Sequence, residues 1–157
     1  MTILLDNTIL SNFSAIQRPT LVKSAFVEEV STTEQVFEEM QTGVTAGKIP
    51  SCDWEWLGRV SLTPDEQEDF LRLATYLGKG EASCLAVARQ REYKFATDDK
   101  DARRWASQLG IPHTGTIGIL AMLVKNKHIT LAEGNHLLQE MITAGYHTPV
   151  TTLDEIL

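Results

Sequence analysis

The chain has 157 residues and a formal net charge of −7, with 43% apolar and 22% charged residues. That length suits one domain with a sizeable core, 1–157, and the balance is that of a soluble globular protein. An acidic chain argues against a broad basic surface that grips nucleic acid through counter-ion release, though not against a nuclease that holds phosphate through metal ions and a few cations, and no apolar run approaches the roughly 20 residues of a membrane-spanning helix.

Thr2 to Leu5 reads as a buried first strand, and Asn7 to Ile16 as a short helix. The N-terminus MTILLDNT carries no basic region and no signal-type apolar stretch, so a folded, cytoplasmic protein is expected. Pro19 opens another helical turn through Leu21, Val22 and Phe26, and Val27 to Val30 reads as a second strand. Thr32 or Thr33 caps a helix expected to run to about Thr42 and to close at Gly43. Leu57 to Leu62 reads as a strand. Thr63-Pro64-Asp65-Glu66 is a helix start, with a capping threonine, proline in the first turn and then acids.

Phe70, Leu73, Ala74 and Leu77 follow at helical spacing. Gly78-Lys79-Gly80 breaks that helix and opens another from Glu81 to about Arg91, with a small-residue face of Ala82, Leu85, Ala86 and Ala88. Tyr93 to Ala96 is the next strand. Lys100 to Leu109 is an amphipathic helix stopped by Gly110, and Ile111 to Thr114 is a short last strand. Thr116 to Asn126 and Leu131 to Ala144 are two further helices, and the C-terminal residues are expected on the surface. Strands alternating with helices predict an α/β domain of three layers, a mostly parallel sheet flanked by helices. Strand order does not follow from pattern.

Four short acidic segments punctuate this scheme: LLDNT with Asp6, VFEEM with Glu39, GKGEAS with Glu81, and FATDDKD with Asp98, Asp99 and Asp101. Asp6 and the Asp98 pair directly follow apolar strands. In an open α/β sheet the crevice outside the carboxyl ends of the strands is where ligands bind. Carboxylates gathered there repel one another, and a bound divalent cation is the usual reason to tolerate this. Plainer roles compete at each position. Asp6 can cap the following helix, a role worth about 1 kcal/mol. Glu38 and Glu39 can be surface acids, although an acid toward a helix C-terminus gains nothing from the macrodipole. Glu81 in a first helical turn is stabilised by that same dipole. Asp98 can cap the Lys100 helix, but two adjacent aspartates exceed what a cap requires. Thr8 and Thr116 can each be a plain cap.

Other chemistries find no support. His113, His128, His136 and His147 show no ligand spacing, and Cys52 and Cys84 no metal-type spacing. Gly78 to Gly80 is too short for a phosphate-binding P-loop, and no nucleophile elbow is present. Trp54, Trp56 and Trp105 read as core or interface.

Taken in order, Asp6-Asn7-Thr8, Val36-Phe37-Glu38-Glu39-Met40, Gly80-Glu81-Ala82, Thr97-Asp98-Asp99 with Ala102-Arg103, and Gly115-Thr116-Ile117-Gly118-Ile119-Leu120 resemble the segments of a PIN-domain protein. The resemblance runs through most of the chain. It implies a Mg²⁺- or Mn²⁺-dependent ribonuclease, often the toxin of a bacterial toxin–antitoxin pair such as the VapC type. It implies Asp6, Glu39 and Glu81 as catalytic, metal-holding carboxylates together with an acid of the Asp98–Asp99 pair; Asp99 is the favoured catalytic ligand and Asp98 the alternative, a choice the resemblance leaves open. Thr8, Thr116, Arg103 and Lys79 are the expected substrate contacts. The implied partners are an RNA substrate, a cognate antitoxin placing Arg or Lys among the acids, and a second copy of the chain meeting it through Leu21 to Phe26 or Leu137 to Ile142. A non-catalytic module of the same fold is the alternative. A phosphatase would need Asp-x-Asp after the first strand, where this chain has Asp6-Asn7-Thr8.

Overall fold

The structure, a computed structural model, describes residues 1–157. Five parallel strands, β1 (Thr2–Leu5), β2 (Glu29–Thr33), β3 (Gly58–Val60), β4 (Lys94–Ala96) and β5 (His113–Thr114), form one sheet in the order β3-β2-β1-β4-β5. Every residue of the central β1 is buried, as expected of a parallel strand covered on both faces. The chain steps outward from β1 to β2 and β3, then crosses back to lay β4 on the other side of β1. This reversal of strand order leaves a crevice at the carboxyl ends of β1 and β4, where Asp6 and Asp98 lie.

Eight helices cover the sheet: α1 (Asn7–Ala15), α2 (Pro19–Ala25), α3 (Glu34–Thr45), α4 (Pro64–Leu73), α5 (Lys79–Arg91), α6 (Lys100–Gln108), α7 (Thr116–Lys125) and α8 (Leu131–Thr143). α1, α2, α7 and α8 pack with one another, as do α4, α5 and α6. α3 touches both groups, through α1 and through α5. The layers close on one continuous hydrophobic cluster that includes Leu4, Leu10, Phe13, Leu85, Phe95 and Leu120. No helix is long and apolar enough to cross a membrane.

Most boundaries follow local signals, and the exceptions have tertiary causes. β2 starts at Glu29 rather than Val27, which is fully exposed, and continues to Thr33. Its register, Thr2 opposite Glu29 and Leu4 opposite Ser31, is set by β1, and Thr32 Oγ1 donates to Leu5 O at 2.6 Å. α3 does not close at Gly43 but runs to Thr45. The left-handed residue that ends it is Gly47, at φ +74°, while Gly43 packs against Ile49. Glu39 therefore sits in mid-helix, not near a C-terminus. The strands after β2 are shorter than their apolar runs. Nor does the C-terminal segment lie wholly on the surface: Leu153 is buried against Gly134, and its N–H donates to Asn135 Oδ1 at 2.7 Å.

α5, which carries Glu81, is anchored at its far end. Thr63 and Glu66 form the expected capping box at the start of α4, and the buried Glu66 also receives Arg91 at its two oxygens, at 2.7 and 2.8 Å. The Arg91 hydrogen bonds hold the Glu66 carboxyl below its ordinary range. An acid so lowered stabilises the fold at pH values above its unfolded pKa, and that contribution disappears as pH falls through the folded one. Glu66→Ala is expected to lower unfolding free energy at pH 7 by about 2–3 kcal/mol, with the difference from wild type shrinking below about pH 4. Denaturant melts at both pH values check this, and coincident curves at pH 7 would show that α5 is held without the pair.

Candidate active site

Asp6 lies where β1 gives way to α1. Its N–H extends the ladder to β4, donating to Ala96 O at 3.1 Å, and its side chain is 1% exposed. Oδ1 accepts from the N–H groups of Thr8 (2.9 Å) and Ile9 (3.3 Å) and from the Thr8 hydroxyl, and Oδ2 accepts from the Thr97 hydroxyl. Each hydroxyl has one proton to give, and each gives it to Asp6. Their oxygens accept in turn from the next loop: Thr8 Oγ1 from the Asp98 N–H at 2.9 Å, and Thr97 Oγ1 from the Asp99 N–H at 3.1 Å. Asp6 is thus both the helix cap and the fastening of the β4–α6 loop.

A second set of small polar contacts brings α3 and α5 to the same crevice. Thr33 caps α3, accepting from Val36 N at 3.1 Å, and its hydroxyl bonds Ser83 Oγ of α5 at 2.7 Å. Cys84 Sγ contacts Leu5 O at 3.8 Å. These ties place Glu81, in the first turn of α5, between Asp6 and Glu39. Gly80 admits the Glu39 carboxyl: a Cβ there would stand 2.9 Å from Glu39 Oε1 and 3.2 Å from Val36 Cγ2.

The acids feel one another. Burial raises the Asp6 carboxyl to about 7, with Glu81 adding to the rise. Burial and then Glu81 raise Glu39, and burial and then Asp99 raise Glu81. Glu81 is the centre of this group, and none of the four forms an ion pair.

Asp98 and Asp99 diverge. Asp99 caps α6, with Oδ2 accepting from Ala102 N at 2.9 Å, and its charge acts on Glu81. Asp98 turns the other way. Its Oδ1 accepts from Thr116 N (2.8 Å) and the Tyr146 hydroxyl (3.5 Å), and its Oδ2 accepts from Asn12 Nδ2 (3.0 Å) and the Thr116 hydroxyl. A Cβ at Gly115 would come within 2.6 Å of Asp98 Oδ1 and 3.2 Å of Arg103 Nη1. Gly115 is therefore what allows α7 to meet the aspartate. Asp98 does not cap α6, whose cap is Asp99, but satisfies the first N–H of α7 instead; Thr116 does not cap α7, where Gly115 holds the cap position and the buried Thr116 hydroxyl serves Asp98. Thr8 is likewise committed within the chain. Arg103 and Lys79 are exposed and form no ion pair, with the Arg103 guanidinium beside Asp98.

The donor set fits a hard divalent cation in kind. It is all oxygen, it gathers several carboxylates with no counter-charge, and the Asn7 side-chain carbonyl beside Asp6 is buried without a partner. The side chains are not drawn together, however: no three acidic, imidazole or thiol groups stand close enough to hold an ion between them.

Three residues of this network escaped the sequence reading as site residues. Thr97 stood inside the quoted motif as a hydroxyl ahead of two acids. Asn12 lies four residues after Thr8, on the same face of α1, a usable signal. Tyr146 had none, being a loop residue 48 positions from Asp98.

A family model described as a PIN domain matches residues 2–157 of this chain. No curated protein and no solved structure matches it.

The raised Asp6 carboxyl sets a pH dependence. Its folded pKa lies above its unfolded one, so the folded state binds the extra proton, and stability declines as pH rises from about 4 through about 7. Glu39 and Glu81 act in the same direction. In the presence of a chelator, wild-type denaturation midpoints are expected to drop between pH 5 and 8, at most by the equivalent of about 1.4 kcal/mol per pH unit for each acid. Asp6→Asn is expected to flatten that slope. Equal slopes in the two proteins would mean that Asp6 is ionised in the fold throughout.

Proposed function

The chain belongs to the PIN-domain family, whose members are commonly metal-dependent nucleases, and from that premise we propose that it is an endoribonuclease that hydrolyses RNA phosphodiesters with Mg²⁺ or Mn²⁺. The observation that carries this reading is the mutual electrostatic coupling of Asp6, Glu39, Glu81 and Asp99 through Glu81, with no cation of the protein paired to any of them. Asp6, Glu39, Glu81 and Asp99 would hold the metal, which supplies a more acidic bound water and a Lewis acid at the phosphate oxygens.

The chain's own residues supply position. Thr8 and Thr97 orient the Asp6 carboxylate and fix the loop that presents Asp99. Asp98 binds α1, α7 and Tyr146 together behind that loop, so its part is to position and not to ligate. Lys79 and Arg103, exposed at either side, suit phosphate oxygens by charge. The Asp6 proton must leave before a cation is held, because a carboxylate ligates in its ionised form.

The same unneutralised acids suit an inhibitory partner. We read the protein as the toxin of a toxin–antitoxin pair whose antitoxin inserts an Arg or Lys among them. A homodimer is part of the proposal. Val22, Ala25, Leu137, Leu138 and Met141 are buried within this chain, so α2 and α8 would contribute other residues to it. A non-catalytic module is the competing reading, favoured by the spacing of the carboxylates.

Cleavage of a mixed pool of labelled RNAs in Mg²⁺, Mn²⁺ and EDTA separates the two. Metal-dependent cutting is expected, reduced at least about 100-fold, some 2.7 kcal/mol of barrier, in Asp6→Asn, Glu81→Gln and Asp99→Asn. Calorimetry should show Mn²⁺ binding lost in Asp99→Asn and retained in Asp98→Asn. Absence of both cutting and Mn²⁺ binding in wild type would favour the non-catalytic module.

A further inference from the structure

On the side of Asp98 bonded by Asn12 and Tyr146 lies a cavity of about 570 Å³ between α1, the α3–β3 loop and the segment after α8, lined in part by Ser11, Asn12, Lys48, Ile49, Gly145 and Tyr146. That volume lies in the range of roughly 300–1,000 Å³ usual for ligand sites. Its wall is joined to the acids through Asp98. Asn12 Nδ2 and the Tyr146 hydroxyl both bond Asp98, whose N–H is held by Thr8, the partner of Asp6. Lys48 is exposed on the rim and joins no ion pair. At the rim Gly47 and Gly145 lie at φ +74° and +115°, backbone that favours glycine.

We propose that this cavity receives one nucleotide of a single-stranded RNA, next to the phosphate presented to the acids, with Lys48 meeting the adjoining phosphate and the Tyr146 ring packing against the base. The assignment rests on the ribonuclease reading and adds to it the direction in which the strand leaves the centre. Charge decides the occupant. A strand entering an acidic crevice is repelled unless cations stand beside it, and Lys48 at the cavity rim and Arg103 beside Asp98 are unpaired cations placed to do this. The site combines a cation for the backbone with an aromatic ring, and such pairing takes single strands with little sequence preference. The Tyr146 phenol is kept neutral by burial and by the charge of Asp98, so it adds no repulsion to the strand.

The test measures binding apart from cleavage. Anisotropy of a short fluorescent single-stranded RNA is titrated with protein in Ca²⁺ buffer, across roughly 50–200 mM salt, and the RNA is checked on a gel for integrity afterwards. Lys48→Ala and Tyr146→Ala are expected to weaken binding about fivefold to tenfold each. Lys48→Ala should also lower the slope of log K against log salt by about 0.7, the value of one phosphate contact on a single strand. Tyr146→Phe, which keeps the ring, should bind nearly as wild type, and Lys127→Ala, beyond the far end of α7, should match it. Circular dichroism confirms that each variant is folded, and Ser11→Trp, which fills the cavity from α1, gives an independent block. Wild-type affinity and slope in Lys48→Ala, Tyr146→Ala and Ser11→Trp would overturn the cavity assignment and leave the ribonuclease reading intact. RNA binding that needs Lys48 and Tyr146, without Mn²⁺-dependent cutting by wild type, would uphold the cavity and sink the ribonuclease. Failure of wild type to bind the RNA overturns the cavity.

Discussion

The buried carboxylate of Asp6 is the constraint around which the crevice is organised. A charge taken out of water at the end of the central strand must be satisfied by the groups within reach. Here they are two backbone N–H groups and the hydroxyls of Thr8 and Thr97. A hydroxyl that donates to a carboxylate turns its lone pairs toward other donors, and the nearest are the N–H groups of Asp98 and Asp99. The geometry of one acid is passed in this way to the loop carrying the next two. Burial also makes the arrangement costly, since it lifts the Asp6 carboxyl to about 7. The fold tolerates in this crevice a charge it would otherwise exclude, which is a usual mark of a functional site.

The two adjacent aspartates show how one loop divides its labour. Asp98 is enclosed by donors from α1, α7 and Tyr146, so its charge is spent within the chain. Asp99 gives one oxygen to the first turn of α6, and its field falls on Glu81. Gly115 and Gly80 act as complementary clearances, one for Asp98 and one for Glu39. In both places the absence of a side chain lets a carboxylate approach a backbone, a more specific use of glycine than chain flexibility.

Local chemistry was legible in the sequence where a single segment sufficed. The capping box of Thr63 and Glu66 and the turn at Asp6 are short-range patterns, and both appear in the fold. Glu39 was set apart from Glu38 by the family resemblance; both are exposed, and it is Glu39 whose carboxyl faces Gly80. Choices that rest on distant partners were not legible. The start of β2 is set by register with β1, and the end of α3 by Gly47 rather than Gly43. Asp98 and Asp99 are told apart only by Thr116 and Tyr146, which lie 18 and 48 residues away from Asp98. Nor could pattern reveal the strand order, which seats β4 beside β1 and so brings the loop of Asp98 and Asp99 next to Asp6.

An acidic protein that handles RNA must concentrate its few cations where the strand runs, since its mean field repels phosphate. Several of the lysines and arginines here are tied to acids away from the crevice. Arg91 pairs with Glu66, Lys94 with Glu28, Arg89 and Arg72 with Asp69, and Arg104 with Asp101. Lys48, Lys79 and Arg103 stay unpaired around the acids and their adjoining cavity. Under the proposed ribonuclease reading, the unpaired acids and these unpaired cations would form a single system: the carboxylates would attract a divalent ion, the ion would reverse the local sign, and the flanking cations would extend that reversal along the strand. A crevice of unneutralised carboxylates repels phosphate, so on that reading metal binding and strand binding at this end of the sheet would be thermodynamically linked.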